Sequence, residues 1–203
     1  MILSAIIALV ILLFSAILHE IAHGYVAERL GDPTARLAGR LTLNPKNHID
    51  PMMSIALPLL LLIAGSPIII GAAKPVPVDP FNLRDGRKDL ALVSLAGPLT
   101  NIFIAIIASL ILKFIPYSIF YYLLSVIAHL NLLLAIFNLI PIPPLDGSKI
   151  FSLILPEKLA NVFLSLGSIG IFIIFFLLLS SGPLSLGGLI SSLLLFSEKL
   201  LGL

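Results

Sequence analysis

Apolar positions gather in long runs at about 2–27, 52–70, 90–115, 118–140, 158–180 and 184–201 of the 203-residue chain. Each run is close to the roughly 20 residues a helix needs to cross the hydrocarbon of a bilayer. Basic residues gather mostly in the joins between runs. The first helix is expected to stop at Gly31-Asp32-Pro33, a glycine C-cap followed by a proline that cannot continue it. Two joins alternate in polarity, Arg36-Leu37-Ala38-Gly39-Arg40-Leu41-Thr42-Leu43 and Ala73-Lys74-Pro75-Val76-Pro77-Val78, which predicts short β segments at the membrane face. Pro75 and Pro77 cannot donate to a ladder, so the second should be an edge strand or extended loop. The expected fold class is an all-α polytopic membrane protein, a bundle of five to six transmembrane helices with short membrane-face β segments. It forms a single domain over 1–203, with a core at about 1–155 and two accessory C-terminal helices at about 156–203.

Composition narrows the function classes. Hydrophobic residues make up 59% of the chain and charged ones 11%, with a mean hydropathy of +1.17, so too little polar surface exists to cover a globule in water. The basic residues sit in loops and form no stripe that could track phosphates, which excludes nucleic acid as a partner. Cysteine is absent, which removes disulfides and thiolate metal sites from consideration. The first run lacks a basic n-region and a small-residue cleavage site, so it reads as a retained helix rather than a signal peptide.

Charge placement predicts sidedness. Arg29, Arg36, Arg40 and Lys46 lie between the first and second runs, and Lys74, Arg84, Arg87 and Lys88 between the second and third. Both loops are expected in the cytoplasm, which requires 52–70 to enter and leave by one face. Pro58, Gly65 and Pro67 fit a re-entrant segment there, with a sixth full span as the open alternative. With five spans, Lys149, Lys158 and Lys199 also fall on the cytoplasmic side and only Lys113 opposite. The end of the bundle that carries both basic loops is thus expected in the cytoplasm.

The chemistry begins at His19-Glu20-Ile21-Ala22-His23, inside the first run. On a helix, residues four apart share a face, so His19 and His23 can grip one metal ion while Glu20 beside them serves as base toward an activated water. Ionisable groups at membrane depth are functional candidates by default because of their cost. A catalytic zinc site needs a third protein ligand, and Asp146, His48, His129, Asp50 and Asp79 are the candidates. Asp146 stands in Asn138-Leu139-Ile140-Pro141-Ile142-Pro143-Pro144-Leu145-Asp146-Gly147, where three prolines prevent a regular helix. Broken backbone at membrane depth must be buried in protein or line a cavity, which suits a metal-facing acid. A simple interfacial Asp-Gly turn is the alternative.

These motifs in this order resemble the site-2 protease family of intramembrane zinc metalloproteases. His-Glu-x-x-His matches 19–23, Asn-x-x-Pro-x-Pro-x-x-Asp-Gly matches 138–147, and Ala96-Gly97-Pro98-Leu99-Thr100-Asn101 resembles the small-residue segment between them. The resemblance covers roughly 10–155 and points to the compact bacterial or archaeal type without PDZ or CBS domains, which implies a multi-pass protein of the prokaryotic cytoplasmic membrane with its active site toward the cytoplasm. It implies one zinc per chain, His19, His23 and Asp146 as ligands, Glu20 as base, and transmembrane-helix proteins as substrates within the lipid bilayer. It also suggests that Asn138 hydrogen-bonds the substrate carbonyl, against a role as interhelical glue. A substrate helix must unwind before cleavage, and 37–43 or 74–78 could hold it by β-addition. Ser94, Gly97, Asn101, Ala105 and Ala108 read as a packing stripe, His48 as a loop cap with a supporting or gating role at the site as the alternative, and His129 as an interhelical partner with a functional role, suggested by its depth, as the alternative. A metal transporter or a zinc-binding membrane protein without proteolytic activity are the other function classes.

Overall fold

The computed structural model describes residues 2–56, 60, 63, 74–180, 182 and 185–203. Its helices are α1 (Ile2–Arg29), α2 (Thr34–Leu37), α3 (Gly86–Leu112), α4 (Ile119–Asn138), α5 (Asp146–Phe151), α6 (Glu157–Ser165), α7 (Gly167–Leu179) and α8 (Leu186–Leu201). Three are long and apolar enough to cross a membrane: Leu3–Arg29, Gly86–Leu112 and Ile119–Asn138. The run expected at 158–180 is instead α6 and α7, bent by 71° at their junction, which counts as at most one broken span. Among the described residues there is no strand, so neither expected β segment forms. Gly39 takes a positive φ of 64° and turns the chain so that Arg40 folds inward, while 74–78 runs extended beside α1 without a ladder.

The expected stop of α1 is a Schellman cap. Gly31 has φ 115°, the Gly31 amide donates to the Glu28 carbonyl at 3.2 Å, and the Asp32 amide reaches the Ala27 carbonyl at 2.9 Å. A Cβ at Gly31 would lie 2.9 Å from the Asn82 carbonyl, so glycine is needed for space as well as φ. Asp32 is fully buried and accepts from the Thr34 amide, the Thr34 hydroxyl, the Asn82 amide group and the Asp79 backbone amide. Burial works against its charge, but those hydrogen bonds outweigh burial and hold its carboxyl below the ordinary carboxylate range. The loop after α1 and the segment before α3 are thereby locked together.

That lock bears on sidedness. The expectation for 52–70 falls largely outside the described residues, but the residues flanking it are described. The Lys74 amide donates to the His48 carbonyl at 2.8 Å, and the Arg84 amide to the Leu30 carbonyl at 3.3 Å. The two basic loops therefore lie on one face.

Packing is built on small residues. Ser94, Gly97, Asn101, Ala105 and Ala108 of α3 are all buried, as the stripe predicts, and bring α3 close to α1 and α4. The last helix departs from expectation. α8 runs antiparallel to α4: Leu186 and Ile190 cluster with Ile140, Leu194 with Leu132, and Glu198 reaches His129. A Cβ on Gly202 would sit 3.7 Å from the Lys113 side chain. Lys199 thus shares the Lys113 end of the bundle rather than the face of the basic loops. The reason is that α7 turns across the bundle instead of climbing it, with Gly170 pressed against the Pro143 carbonyl. The basic loops, Lys149 and Lys158 stay together, so the charge asymmetry survives.

Two outcomes test this arrangement. Single cysteines at Lys46 and Arg87 should label together with a membrane-impermeant thiol reagent, and cysteines at Lys113 and Lys199 should form the opposite class; Lys199→Cys labelling with Lys46→Cys would refute the antiparallel α8. Asp32→Asn should lower thermal stability at neutral pH by about 1–3 kcal/mol, because the amide sets donors against donors. Since the folded pKa lies below the ordinary 3.8, this contribution is complete above that value and is lost as pH falls through the lowered one.

Candidate metal centre

His19 and His23 sit one turn apart on α1 and point at the same spot, and Asp146 reaches it from the first residue of α5. The His19 Nε2 and His23 Nε2 atoms are 3.0 Å apart, and Asp146 Oδ2 lies 3.1 Å from each. All three residues are buried. Tetrahedral zinc with bonds of roughly 2.0–2.1 Å sets its ligands ~3.3 Å apart, close to this triangle.

The hydrogen bonds behind the triangle decide what its atoms are. His23 Nδ1 lies 2.7 Å from the Val93 carbonyl, which can only accept, so Nδ1 carries the proton and Nε2 presents its lone pair. A longer chain fixes His19. Asn131 Nδ2 donates to the Ile127 carbonyl at 2.8 Å, so Asn131 Oδ1 accepts from Asn101 Nδ2 at 2.8 Å, and Asn101 Oδ1 accepts from His19 Nδ1 at 2.6 Å. Ser15 anchors the chain to α1, accepting from Asn131 at 2.9 Å. Both Nε2 atoms thus offer lone pairs toward a carboxylate oxygen. Three acceptors at 3 Å repel one another unless a cation sits among them, and this donor set of two imidazoles and one carboxylate suits zinc.

Local backbone places each piece. Gly97 faces the triangle, and a Cβ there would lie 2.5 Å from His19 Nε2 and His23 Nε2. Pro141, Pro143 and Pro144 keep the chain out of helix before α5, and a Cβ at Gly147 would overlap the Leu139 carbonyl. Lys149 Nζ holds Asp146 Oδ1 at 3.2 Å, leaving Oδ2 for the triangle.

Beside the triangle opens a cavity of about 570 Å³ lined by Glu20, Asn138, Ser94, Val76 and Pro144 among others. Glu20 Oε2 accepts from the Val76 backbone amide at 2.6 Å, so the extended segment 74–78 orients its carboxylate. Asn138 spends one donor on the Leu134 carbonyl at 3.0 Å. The hydroxyl of buried Ser94 has no partner among the described residues.

The other candidate ligands lie elsewhere. His48 is fully buried and bonds the Thr42 carbonyl at 2.8 Å, a loop role. His129 pairs with Glu198 across α4 and α8 at 2.6 Å. Asp50 and Asp79 cap turns at Met52 and Phe81. Sequence reasoning treated Asn101 as packing and passed over Asn131; two amides in apolar helices, each needing partners at membrane depth, were the available signal.

Gly97→Ala tests the geometry. Alanine suits a helix interior better than glycine, so the fold should survive while zinc retention against a chelator falls at least ~10-fold, about 1.4 kcal/mol. Unchanged retention would mean that the metal does not sit in the triangle.

Comparison with known proteins agrees with this picture. The family model described as Peptidase family M50 matches residues 113–181. The Bacillus subtilis (strain 168) protein named "Putative zinc metalloprotease YwhC" is 38% identical over 177 residues, covering 82% of this chain and 77% of its own. The Mycobacterium tuberculosis protein named "Putative zinc metalloprotease Rip2" is 38% identical over 138 residues, 66% of this chain and 52% of that one. The Methanocaldococcus jannaschii "Zinc metalloprotease MJ0392" is 32% identical over 152 residues, 74% of this chain and 35% of its own. The chain therefore spans about half the length of Rip2 and about a third of MJ0392. No solved structure matches it. With most of YwhC covered at that identity, the chain belongs to Peptidase family M50, the site-2 protease family, and is a zinc metalloprotease.

Proposed function

We propose that this chain cleaves peptide bonds of membrane-protein helices inside or at the edge of the bilayer, from a single catalytic domain over 1–203. The observation that carries the reading is the triangle of two imidazole nitrogens and one carboxylate oxygen, with Glu20 and a cavity beside it, in a chain whose long helices can cross a membrane.

In this reading His19, His23 and Asp146 hold the metal. Bound zinc supplies Lewis acidity and lowers the pKa of water toward neutrality. Glu20, next to His19 on α1 and bordering the cavity, takes the proton of the attacking water and returns it to the leaving nitrogen. The Val76 amide keeps the carboxylate aimed. Asn138 lines the same cavity and donates to the substrate carbonyl as charge develops on its oxygen. The substrate must present an unwound backbone here, because an intact helix hides its amide bonds. Substrates with glycine or proline near the cut are favoured for that reason. The extended 74–78 segment borders the cavity and offers a backbone edge to the unwound chain.

The side is proposed from charge. The metal centre lies toward the end of the bundle that carries both basic loops, Lys149 and Lys158, which the positive-inside rule assigns to the cytoplasm of a prokaryotic cell. Five to six spans are proposed for the whole chain, of which α1, α3 and α4 are long and apolar enough to cross by themselves; His48 and Lys74, which flank the second apolar run, meet on the face of the basic loops.

The test uses purified protein and labelled single-span helices, with the cut mapped by mass. His19→Ala with His23→Ala should lose most of about one zinc per chain. Glu20→Gln should keep zinc and fold while cleavage falls by at least ~10²-fold. Asp146→Ala should weaken zinc retention. A Glu20→Gln protein that cuts at the parent rate, or a double-histidine variant that keeps its zinc, would overturn the reading.

A further inference from the structure

A second cavity, of about 540 Å³, lies on the face of the basic loops and is lined by Gly39, Arg40, Lys46, Asn47, Lys74 and Pro75 among others. Three of these are cations, and among the described residues no acid lines the cavity. Arg40 is only 7% exposed. Its Nη2 donates to the Lys74 carbonyl at 2.7 Å and the Pro75 carbonyl at 3.2 Å, and its buried Nε has no partner among the described residues. Among the described residues, none of Arg40, Lys46 and Lys74 forms an ion pair. The nearest acid in sequence, Asp50, caps a turn at Met52.

A buried guanidinium flanked by two ammonium groups with no carboxylate is electrostatically incomplete. Buried charge is tolerated when paired, and single-sign clefts concentrate counter-ions. The planar fork of arginine matches phosphate oxygens, and lysines add point charge. The turn that forms the rim is open: Gly39, at φ 64°, has nothing within 4 Å of where a Cβ would be. Leu37 and Leu43 flank this loop at 81% and 58% exposure, apolar side chains that belong at the boundary between headgroups and acyl chains. Cationic groups at that depth meet the anionic lipids of the cytoplasmic leaflet.

We infer that the Arg40–Lys46–Lys74 cavity is a binding site for a phosphate-type oxyanion, the headgroup phosphodiester of an anionic phospholipid, with a free phosphate as the chemically equivalent source. The site connects to the metal centre through one short stretch. Arg40 holds the carbonyls of residues 74 and 75, and the next amide, Val76, holds Glu20. An anion that neutralises the cations firms the segment that orients Glu20; its bearing on catalysis rests on Glu20 being the base.

The experiment does not use cleavage, so its result is independent of that reading. The zinc-loaded full chain is placed in nanodiscs of phosphatidylcholine, of phosphatidylcholine with about a third phosphatidylglycerol, and of phosphatidylcholine with added inorganic phosphate. Hydrogen exchange is followed at the amides of Lys74, Val76, Val78 and Asp79. Phosphatidylglycerol should slow exchange there at least ~3-fold, as binding to the folded state stabilises it. Lys46→Gln with Lys74→Gln, both exposed and remote from the metal, should abolish the slowing. Lys88→Gln with Lys158→Gln, cations elsewhere on that face, should keep it. Slowing by inorganic phosphate alone in the parent protein identifies a free anion as occupant, and slowing only by phosphatidylglycerol identifies the headgroup. Equal slowing in the Lys46→Gln, Lys74→Gln protein and the parent, or no slowing by either anion source, overturns the site.

Discussion

Three acceptor atoms within 3.1 Å of one another, buried at the wall of a cavity, form an arrangement that a cation placed among them holds together. Much of the bundle is arranged around that constraint. The amide chain from Ile127 through Asn131 and Asn101 to His19 has one permitted direction, because a backbone carbonyl at its far end can only accept. The Val93 carbonyl does the same for His23. In water such orientation would be weak, but in a low-dielectric interior an unmatched donor or acceptor is costly, so the network holds both imidazoles in one tautomer. α1, α3 and α4 are tied by the same bonds that aim the ligands, which makes the site and the bundle core one object.

Closeness between α1 and α3 is the second requirement. A hydrogen at Gly97 is the largest substituent the triangle admits. The small residues along that face therefore act twice, allowing the helices to touch and leaving the nitrogens uncovered. Asp146 arrives by a different device. Prolines suppress helix before it, α5 starts at it, and Lys149 takes the oxygen that the triangle does not use.

Much of this was readable in the residues themselves. The spacing of His19 and His23, the proline-broken approach to Asp146, the glycine stop of α1 and the buried stripe on α3 all follow from local rules, where neighbours in sequence decide the outcome. The β segments did not, because alternation at 36–43 says nothing about whether a partner strand lies alongside, and Gly39 and the prolines remove the chance of one. The direction of α8 was equally hidden. Apolar runs fix length but not which way a helix travels, and the turn of α7 across the bundle depends on Gly170 meeting Pro143, a contact between residues far apart in sequence. Asn101 and Asn131 were visible as polar residues in apolar helices, but their hydrogen-bond order appears only once three helices are placed together.

The bond between the His48 carbonyl and the Lys74 amide has a further meaning for how such a chain can change over time. It fixes the start of the segment whose Val76 amide holds Glu20, and Arg40 grips the same segment at the Lys74 and Pro75 carbonyls. The link from His48 to the Glu20 carboxylate therefore runs through main-chain groups, which every residue type except proline supplies in full. The side chain at position 74 can thus drift over evolutionary time while Glu20 stays aimed, whereas a proline there would cut the link.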